Sequence, residues 1–239
     1  MKRNHSNGFT IVELTIALAF MAILLIAIIT LTLTAGNMYT KGSTMKAMNQ
    51  SWRDIEDIMR RDMLSSDAST ISQQINVGSG TATSGRICLG SVSYAWNTAD
   101  LINSQTPPVN TVLTFGTGAS ATPARFVRIV DPGASFCVKD TMTGRYPTVI
   151  PTDTTASELL SVGGREVAPY SVVISPTALK GERGMYSVKM TIGTSGKNTT
   201  QLDSAGGYVQ CKPNGSAASD FNYCTVSDFD MMIRVGGSA

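Results

Sequence analysis

Hydrophobic and polar positions divide this chain into three regimes. From Leu14 to Thr40 there is no charged side chain, and Glu13 is the single charge between Phe9 and Tyr39. A bilayer-spanning helix needs about 20 apolar residues, so the run ending at Gly36 is long enough to cross. A carboxylate near the start of such a run is costly in lipid and calls for a reason. After Gly36 the pattern changes. Met45, Met48, Trp52, Ile55, Met59 and Met63 recur at three- and four-residue spacing, separated by Lys46, Arg53, Asp54, Glu56, Asp57, Arg60, Arg61 and Asp62. This predicts an amphipathic helix with one apolar stripe of core packing and a charged opposite face. Glu56 and Arg60, four apart, add a little local support. Joined end to end, Phe9 to about Ser65 form one helix about 84 Å long at 1.5 Å per residue.

From Ser65 the helical period is lost in Ser, Thr, Asp and Gly, and short β candidates follow. Arg86 to Trp96, Thr111 to Phe115 and Ala124 to Val130 read as strands. Asp131-Pro132-Gly133 is a strong turn signal. Ser135 to Lys139 then reads as the return strand of a hairpin, which places Cys137 near the sheet. Asp153 to Leu160 reads as one or two helical turns capped by Asp153 or Thr154. Ser171 to Ser175 and Met185 to Ile192 follow. In the latter Tyr186, Val188, Met190 and Ile192 alternate with polar residues, the period of a half-buried strand. Thr194 to Gly207 reads as loop, and Tyr208 to Cys211 and Phe229 to Val235 as closing strands. No internal repeat is visible. The expected class is α+β: a long N-terminal helix, its first half transmembrane, packed against an antiparallel β-sheet head.

With the helix set aside, about 170 residues remain, enough for one domain with its own core. Only 15% of the chain is charged, and Gly, Ser and Thr are abundant, which suits an extracellular β-rich domain. Net charge is +2, and Lys2 and Arg3 lie at the N-terminus. Without those two, 17 basic and 17 acidic side chains remain, which gives no electrostatic case for general nucleic-acid binding. The four cysteines, Cys88, Cys137, Cys211 and Cys224, form an even set that favours disulfides in an exported domain. Three pairings are open. The sequential one, Cys88–Cys137 with Cys211–Cys224, is preferred, because the second link would staple a Pro-Asn-Gly-Ser-rich loop. Four reduced thiols are the competing arrangement, and the lack of a CxxC pair argues against zinc.

The segment Gly8-Phe9-Thr10-Ile11-Val12-Glu13-Leu14, with a short basic leader before it and the apolar run after it, resembles the signal of the type IV prepilin family, in its class III-type form. The resemblance covers about the first quarter of the chain. It implies cleavage after Gly8 and N-methylation of Phe9 by a prepilin peptidase/methyltransferase. It also implies that Glu13 is the assembly carboxylate, pairing with the mature N-terminus of a neighbouring pilin subunit. Phe9 and Glu13 lie one helical turn apart, so pairing within one chain is the alternative. A buried charge is tolerable only when paired. The division it implies is a leader over 1–8, a transmembrane and assembly half of the helix over 9–36, an amphipathic half over 37–66 and an extracellular β-rich head over 67–239. The precursor would be a single-pass cytoplasmic membrane protein with its head outside, later part of a pilus at the cell surface. Major pilins often carry proline where this chain has Thr30. That departure and the large head favour a minor pilin. A pseudopilin of type II secretion or competence DNA uptake is the near alternative. Gln50 to Ser65, with Arg60-Arg61-Asp62, is also similar to larger minor pilins and J-type pseudopilins.

Two other readings compete. A cleaved secretory signal has an apolar core of about 7–15 residues and a small-residue cleavage site; this run is longer, and Leu33-Thr34-Ala35 is a poor site. A plain signal anchor, for instance of a surface enzyme, fits the length but leaves Glu13 and the Gly8-Phe9 junction unexplained. Candidate chemistry is sparse. His5, the single histidine, lies in the leader, so a processed chain would lack Ser-His-Asp, Cys-His and the usual zinc arrangements. Gly78-Ser79-Gly80 lacks the lysine and helix of a phosphate loop. Asp228 and Asp230 are weak Ca²⁺ candidates because they alternate along an expected strand. The reading is therefore a structural subunit, not an enzyme, with no cofactor and no metal.

Overall fold

The computed structural model describes residues 10–67, 71, 75–152, 155–160, 166–177, 184–196, 200–202, 209–212 and 224–236. One helix, α1 (Ile11–Ser65), runs for 55 residues, about 82 Å at 1.5 Å per residue. The head follows as β1 (Ile75–Ser79), β2 (Ala82–Cys88), β3 (Val92–Asn97), α2 (Ala99–Asn103), β4 (Thr114–Phe115), β5 (Thr122–Pro123) and β6 (Phe126–Val130). It continues with β7 (Val149–Ile150), β8 (Ala156–Glu158), β9 (Val167–Pro176), β10 (Met185–Thr194), β11 (Thr200–Leu202), β12 (Val209–Cys211) and β13 (Val226–Arg234). The class is α+β. An antiparallel five-stranded sheet runs β1-β2-β3-β6-β8, and an antiparallel three-stranded sheet runs β13-β10-β9. The pair β11-β12 and the small sheet β5-β4-β7 complete the described strands.

The amphipathic half of α1 buries Thr44, Met48, Trp52, Ile55, Met59 and Met63. The expected stripe is correct from Met48 onward. At its start the structure buries Thr44 and leaves Met45 44% exposed, because Thr44 stands one turn before Met48 on the same face. The Thr44 hydroxyl donates to the Thr40 carbonyl at 2.9 Å, so its burial leaves no polar group unsatisfied. Trp52 stacks on Phe229 of β13 with ring centroids 4.7 Å apart. The stripe joins one core with Ile87, Tyr94, Trp96 and Phe126 from the five-stranded sheet and Val188, Met190, Ile192, Met231 and Ile233 from the three-stranded sheet. Each such side chain contributes about 1.5–3 kcal/mol on burial.

Strand alternation gives the five-stranded sheet a second buried face. Tyr94 and Trp96 belong to the helix-side core, while Ala95, Val127, Ile129 and Cys88 join Leu113, Phe136 and Ile150 in a separate cluster. The segments 111–125 and 131–150, on either side of β6, thus cover the face turned away from α1. Asn97 fastens it: its Nδ2 donates to the Leu113 and Ala124 carbonyls, and its Oδ1 accepts from Leu113 N–H at 2.9 Å. On the helix side Gly85 lies opposite Trp96, and a Cβ there would intrude on the indole ring.

Several local expectations are corrected. Arg86 to Trp96 is a hairpin of two strands turning at Gly90, not one strand. Thr111 to Phe115 keeps β structure only at Thr114–Phe115. Ser135 to Lys139 is not a return strand: Ser135–Cys137 form a 3-10 turn. Asp131 decides this, because its carboxylate accepts from the N–H groups of Ser135 and Phe136 at 2.9 and 3.0 Å. Ala156–Glu158 form an edge strand on β6, where a helical turn is expected from sequence. The Glu158 carboxylate holds it there by accepting from Arg125 and Phe126 N–H at 2.9 and 2.7 Å. The expected caps at positions 153 and 154 lie outside the described residues. Thr200–Leu202 is a strand inside the expected loop, paired with Val209–Cys211.

Candidate functional site

Among the described residues the first half of α1 packs against no other part of the chain. Ile11, Ile16, Phe20, Ile23, Leu31 and Leu33 are all more than 60% exposed, and the apolar window long enough to cross a membrane is not buried at all. Its polar groups are handled inside the helix. Thr15 donates to the Val12 carbonyl, Thr30 to Ala27, Thr32 to Ile28, Thr34 to Thr30 and Thr40 to Gly36, at 2.8–3.0 Å. Each threonine hydroxyl of the run therefore has an acceptor within one turn, as a lipid or protein-core environment requires. The helix passes through Thr30 unbroken.

At its start Thr10 is the N-cap. Its backbone N–H and its hydroxyl both donate to Glu13 Oε2 at 2.9 Å, and Glu13 N–H donates to Thr10 Oγ1 at 3.3 Å. This is a reciprocal capping box, two otherwise orphaned donors satisfied at once. Glu13 thus has a partner within its own chain. Gly8 and Phe9, the expected cleavage and methylation sites, lie outside the described residues. The Thr-x-x-Glu spacing of Thr10 and Glu13 is the sequence signal for the box.

The other end of α1 is fastened to the sheet by a second polar group that sequence did not reveal. Asp62 accepts from Arg128 Nε at 2.7 Å and from Arg128 Nη2 at 2.9 Å, and from the Tyr94 hydroxyl at 2.5 Å. The two charged side chains are 12% and 26% exposed. Burial pushes the Tyr94 phenol well above its ordinary pKa, and the adjoining Asp62 carboxylate adds to that shift. One turn later Ser66 Oγ donates to the Asp62 carbonyl at 2.7 Å, and Gly236 N–H reaches the Met63 carbonyl at 3.2 Å. The last turn of the helix is bound both to the five-stranded sheet and to the segment after β13.

Two disulfides staple the head. Cys88 of β2 joins Cys137 at the end of the 3-10 turn, with Cα atoms 6.3 Å apart, and Cys211 of β12 joins Cys224 before β13, at 5.7 Å. This is the sequential pairing. Asp228 and Asp230 do not converge: Asp228 accepts from the Thr191 hydroxyl at 2.6 Å, and Asp230 lies 3.7 Å from Lys189 Nζ. Among the described residues no three His, Cys, Asp or Glu side chains are grouped to hold a metal.

Compared with protein-family models, with curated proteins and with solved structures, the chain finds no match in any of the three. The architecture is pilin-like on its own geometry: a long apolar N-terminal helix packed through its second half against antiparallel sheets. The apolar helix is long enough to serve as a membrane anchor, and two disulfides favour an extracytoplasmic head.

Proposed function

We propose that the chain is a minor type IV pilin: a structural subunit inserted in the membrane as a precursor, cut after Gly8, N-methylated on Phe9 and packed into a fibre by its N-terminal helix. One observation carries this reading. A charge-free helix from Leu14 to Thr40 projects from a folded head that buries none of it, and its threonine hydroxyls are turned back onto its own carbonyls. Such a surface needs an apolar surround for its whole length, first lipid and then the helices of other pilin subunits. Its other partners are the prepilin peptidase/methyltransferase and the membrane. Its role is mechanical rather than catalytic. Glu13 meets the freed Phe9 amine of a neighbour, which needs an anion when it is carried into a low-dielectric fibre core. The pseudopilin of a secretion or DNA-uptake system shares every one of these features.

The capping box favours a second reading in one respect. It gives Glu13 a purpose inside its own helix, so a plain signal anchor no longer leaves that residue unexplained. Mass spectrometry of the mature N-terminus separates the two. A chain starting with methyl-phenylalanine at Phe9 is the expected result, and a chain retaining Met1 to Gly8 in a strain that processes other prepilins would overturn the proposal. Proteomics of sheared fibres then separates a pilus subunit from a secretion pseudopilin.

A further inference from the structure

Arg86 is a buried cation with no counter-ion among the described residues. It stands on β2, 1% exposed, next but one to Cys88 on the face turned away from α1. Its Nη1 donates to the Phe136 carbonyl at 3.0 Å and the Pro147 carbonyl at 2.8 Å, and among the described residues its Nε has no partner. No carboxylate pairs with it among the described residues. Burying an unpaired charge is costly, so its retention asks for a reason. The two carbonyls it holds stand at the two ends of the loop 137–146, which the Cys88–Cys137 disulfide also ties to β2.

That loop presents two more cations. Asp140 N–H donates to the Arg145 carbonyl and Gly144 N–H to the Asp140 carbonyl, both at 2.8 Å, so Lys139 and Arg145 flank a closed turn. The Asp140 carboxylate is spent on the turn itself, accepting from Met142 and Thr143 N–H at 2.9 and 2.7 Å. Lys139 and Arg145 are exposed and form no ion pair among the described residues. Between them Tyr146 is half-buried, with the Arg86 guanidinium 5.0 Å and the Lys139 ammonium 5.3 Å from its ring centroid. Lys139, Arg145 and Tyr146 face Asn76 and Val77 of the edge strand β1, and Asn110, across an open groove of about 400 Å³.

We propose that this groove binds a sugar carrying a carboxylate, of the uronic or sialic acid kind. Its volume lies in the range of small-ligand sites. Lys139 and Arg145 supply charge-assisted donors for the carboxylate, and Arg86 below the ring adds positive potential that the fold does not neutralise. The amide of Asn110 supplies a neutral polar group for hydroxyls, and Val77, Val109 and the edge of Tyr146 supply apolar surface for the ring. A nucleic acid fits less well, because its affinity grows with the number of phosphates neutralised and, among the described residues, two exposed cations line the groove. The turn is closed by its own hydrogen bonds and the loop is tied to β2 by a disulfide, so little ordering is needed on binding. The groove lies on the sheet face away from α1. The inference does not rest on fibre assembly and holds for an anchored head as well.

The test is titration of the full chain in detergent micelles with trigalacturonate and sialyllactose, with lactose as neutral control and a thymidine oligonucleotide as phosphate control. Binding of an acidic sugar but not of lactose is expected, weakening as salt is raised. The double variant Lys139→Ala/Arg145→Ala should bind it about tenfold or more weakly, with both disulfides intact by non-reducing peptide mapping. Equal binding of lactose, an unchanged affinity in the double variant, tighter binding of the oligonucleotide than of either acidic sugar, or no binding of either acidic sugar would each overturn the proposal.

Discussion

Replacing Asp62 by alanine should loosen the helix from the head. The carboxylate holds three donors from two strands: Nε and Nη2 of Arg128 on β6 and the Tyr94 hydroxyl on β3. Truncating it leaves a partly buried guanidinium and a buried phenol without acceptors. Removing one partner of a fully buried ion pair costs about 3–5 kcal/mol. Arg128 is 26% exposed and regains some water, so the lower end applies, about 3 kcal/mol. For a chain of this size that is a fall of about 6–12 °C in Tm. Tyr94→Phe should cost only about 1 kcal/mol, since it removes one hydrogen bond and leaves the ion pair. Combining Asp62→Ala with Arg128→Ala should cost less than the sum of the two, because each variant already forfeits the same contact. The assay is urea unfolding of the full chain in detergent micelles, followed by the fluorescence of Trp52 on the helix and Trp96 on the sheet. An Asp62→Ala cost within about 0.5 kcal/mol of zero, or strict additivity with Arg128→Ala, would refute the lock.

Glu13→Ala should leave head folding intact yet lower incorporation into sheared fibres. Glu13→Gln, which keeps the capping geometry but not the charge, should be nearly as poor if charge governs assembly and close to wild type if the cap does. Asp131 should support stability in a pH-dependent way. Burial alone would raise its pKa, but hydrogen bonds from Ser135, Ser93 and Phe136 outweigh that and hold the carboxyl below its ordinary range. Its contribution is therefore complete above the unfolded value of about 3.9 and is lost as pH falls through the lower folded value. Glu158 acts with the opposite sign, because burial raises its pKa despite three backbone hydrogen bonds, so protonation relieves the native state. Asp131→Asn should thus lower Tm at pH 7 and reduce the further loss between pH 4 and pH 2; an unaltered acid limb would count against this account. Gly85→Ala should destabilise by about 1–3 kcal/mol, because the added methyl meets the Trp96 ring in a packed core; a neutral effect in thermal unfolding would show that the indole has room to move.

The sequence by itself determined the helix and its two characters. Charge is absent from Leu14 to Thr40 and returns with helical period from Lys41, and no packing is needed to read either fact, because periodicity and solvation act locally. The alternation in Met185 to Ile192 likewise marked a strand that the tertiary structure keeps, since one face of it meets the core. Short segments were decided elsewhere. Ser135 to Lys139 has the composition of a strand, yet one carboxylate, that of Asp131, draws its first N–H groups into a 3-10 turn. Ala156–Glu158 pairs with β6 because Glu158 finds two N–H donors there, a gain invisible from its neighbours in sequence. The same holds for the sites. Thr10 and Glu13 are three residues apart, so their box was written in the chain. Asp62 and Arg128 are 66 residues apart, and Arg86 reaches carbonyls 50 and 61 residues away. Charged residues on a helix face and a strand read as solvated until tertiary structure sets the donor and the acceptor within 3 Å. Hydrophobic pattern is a property of neighbours along the chain, whereas the partner of a buried charge is chosen by the topology that surrounds it.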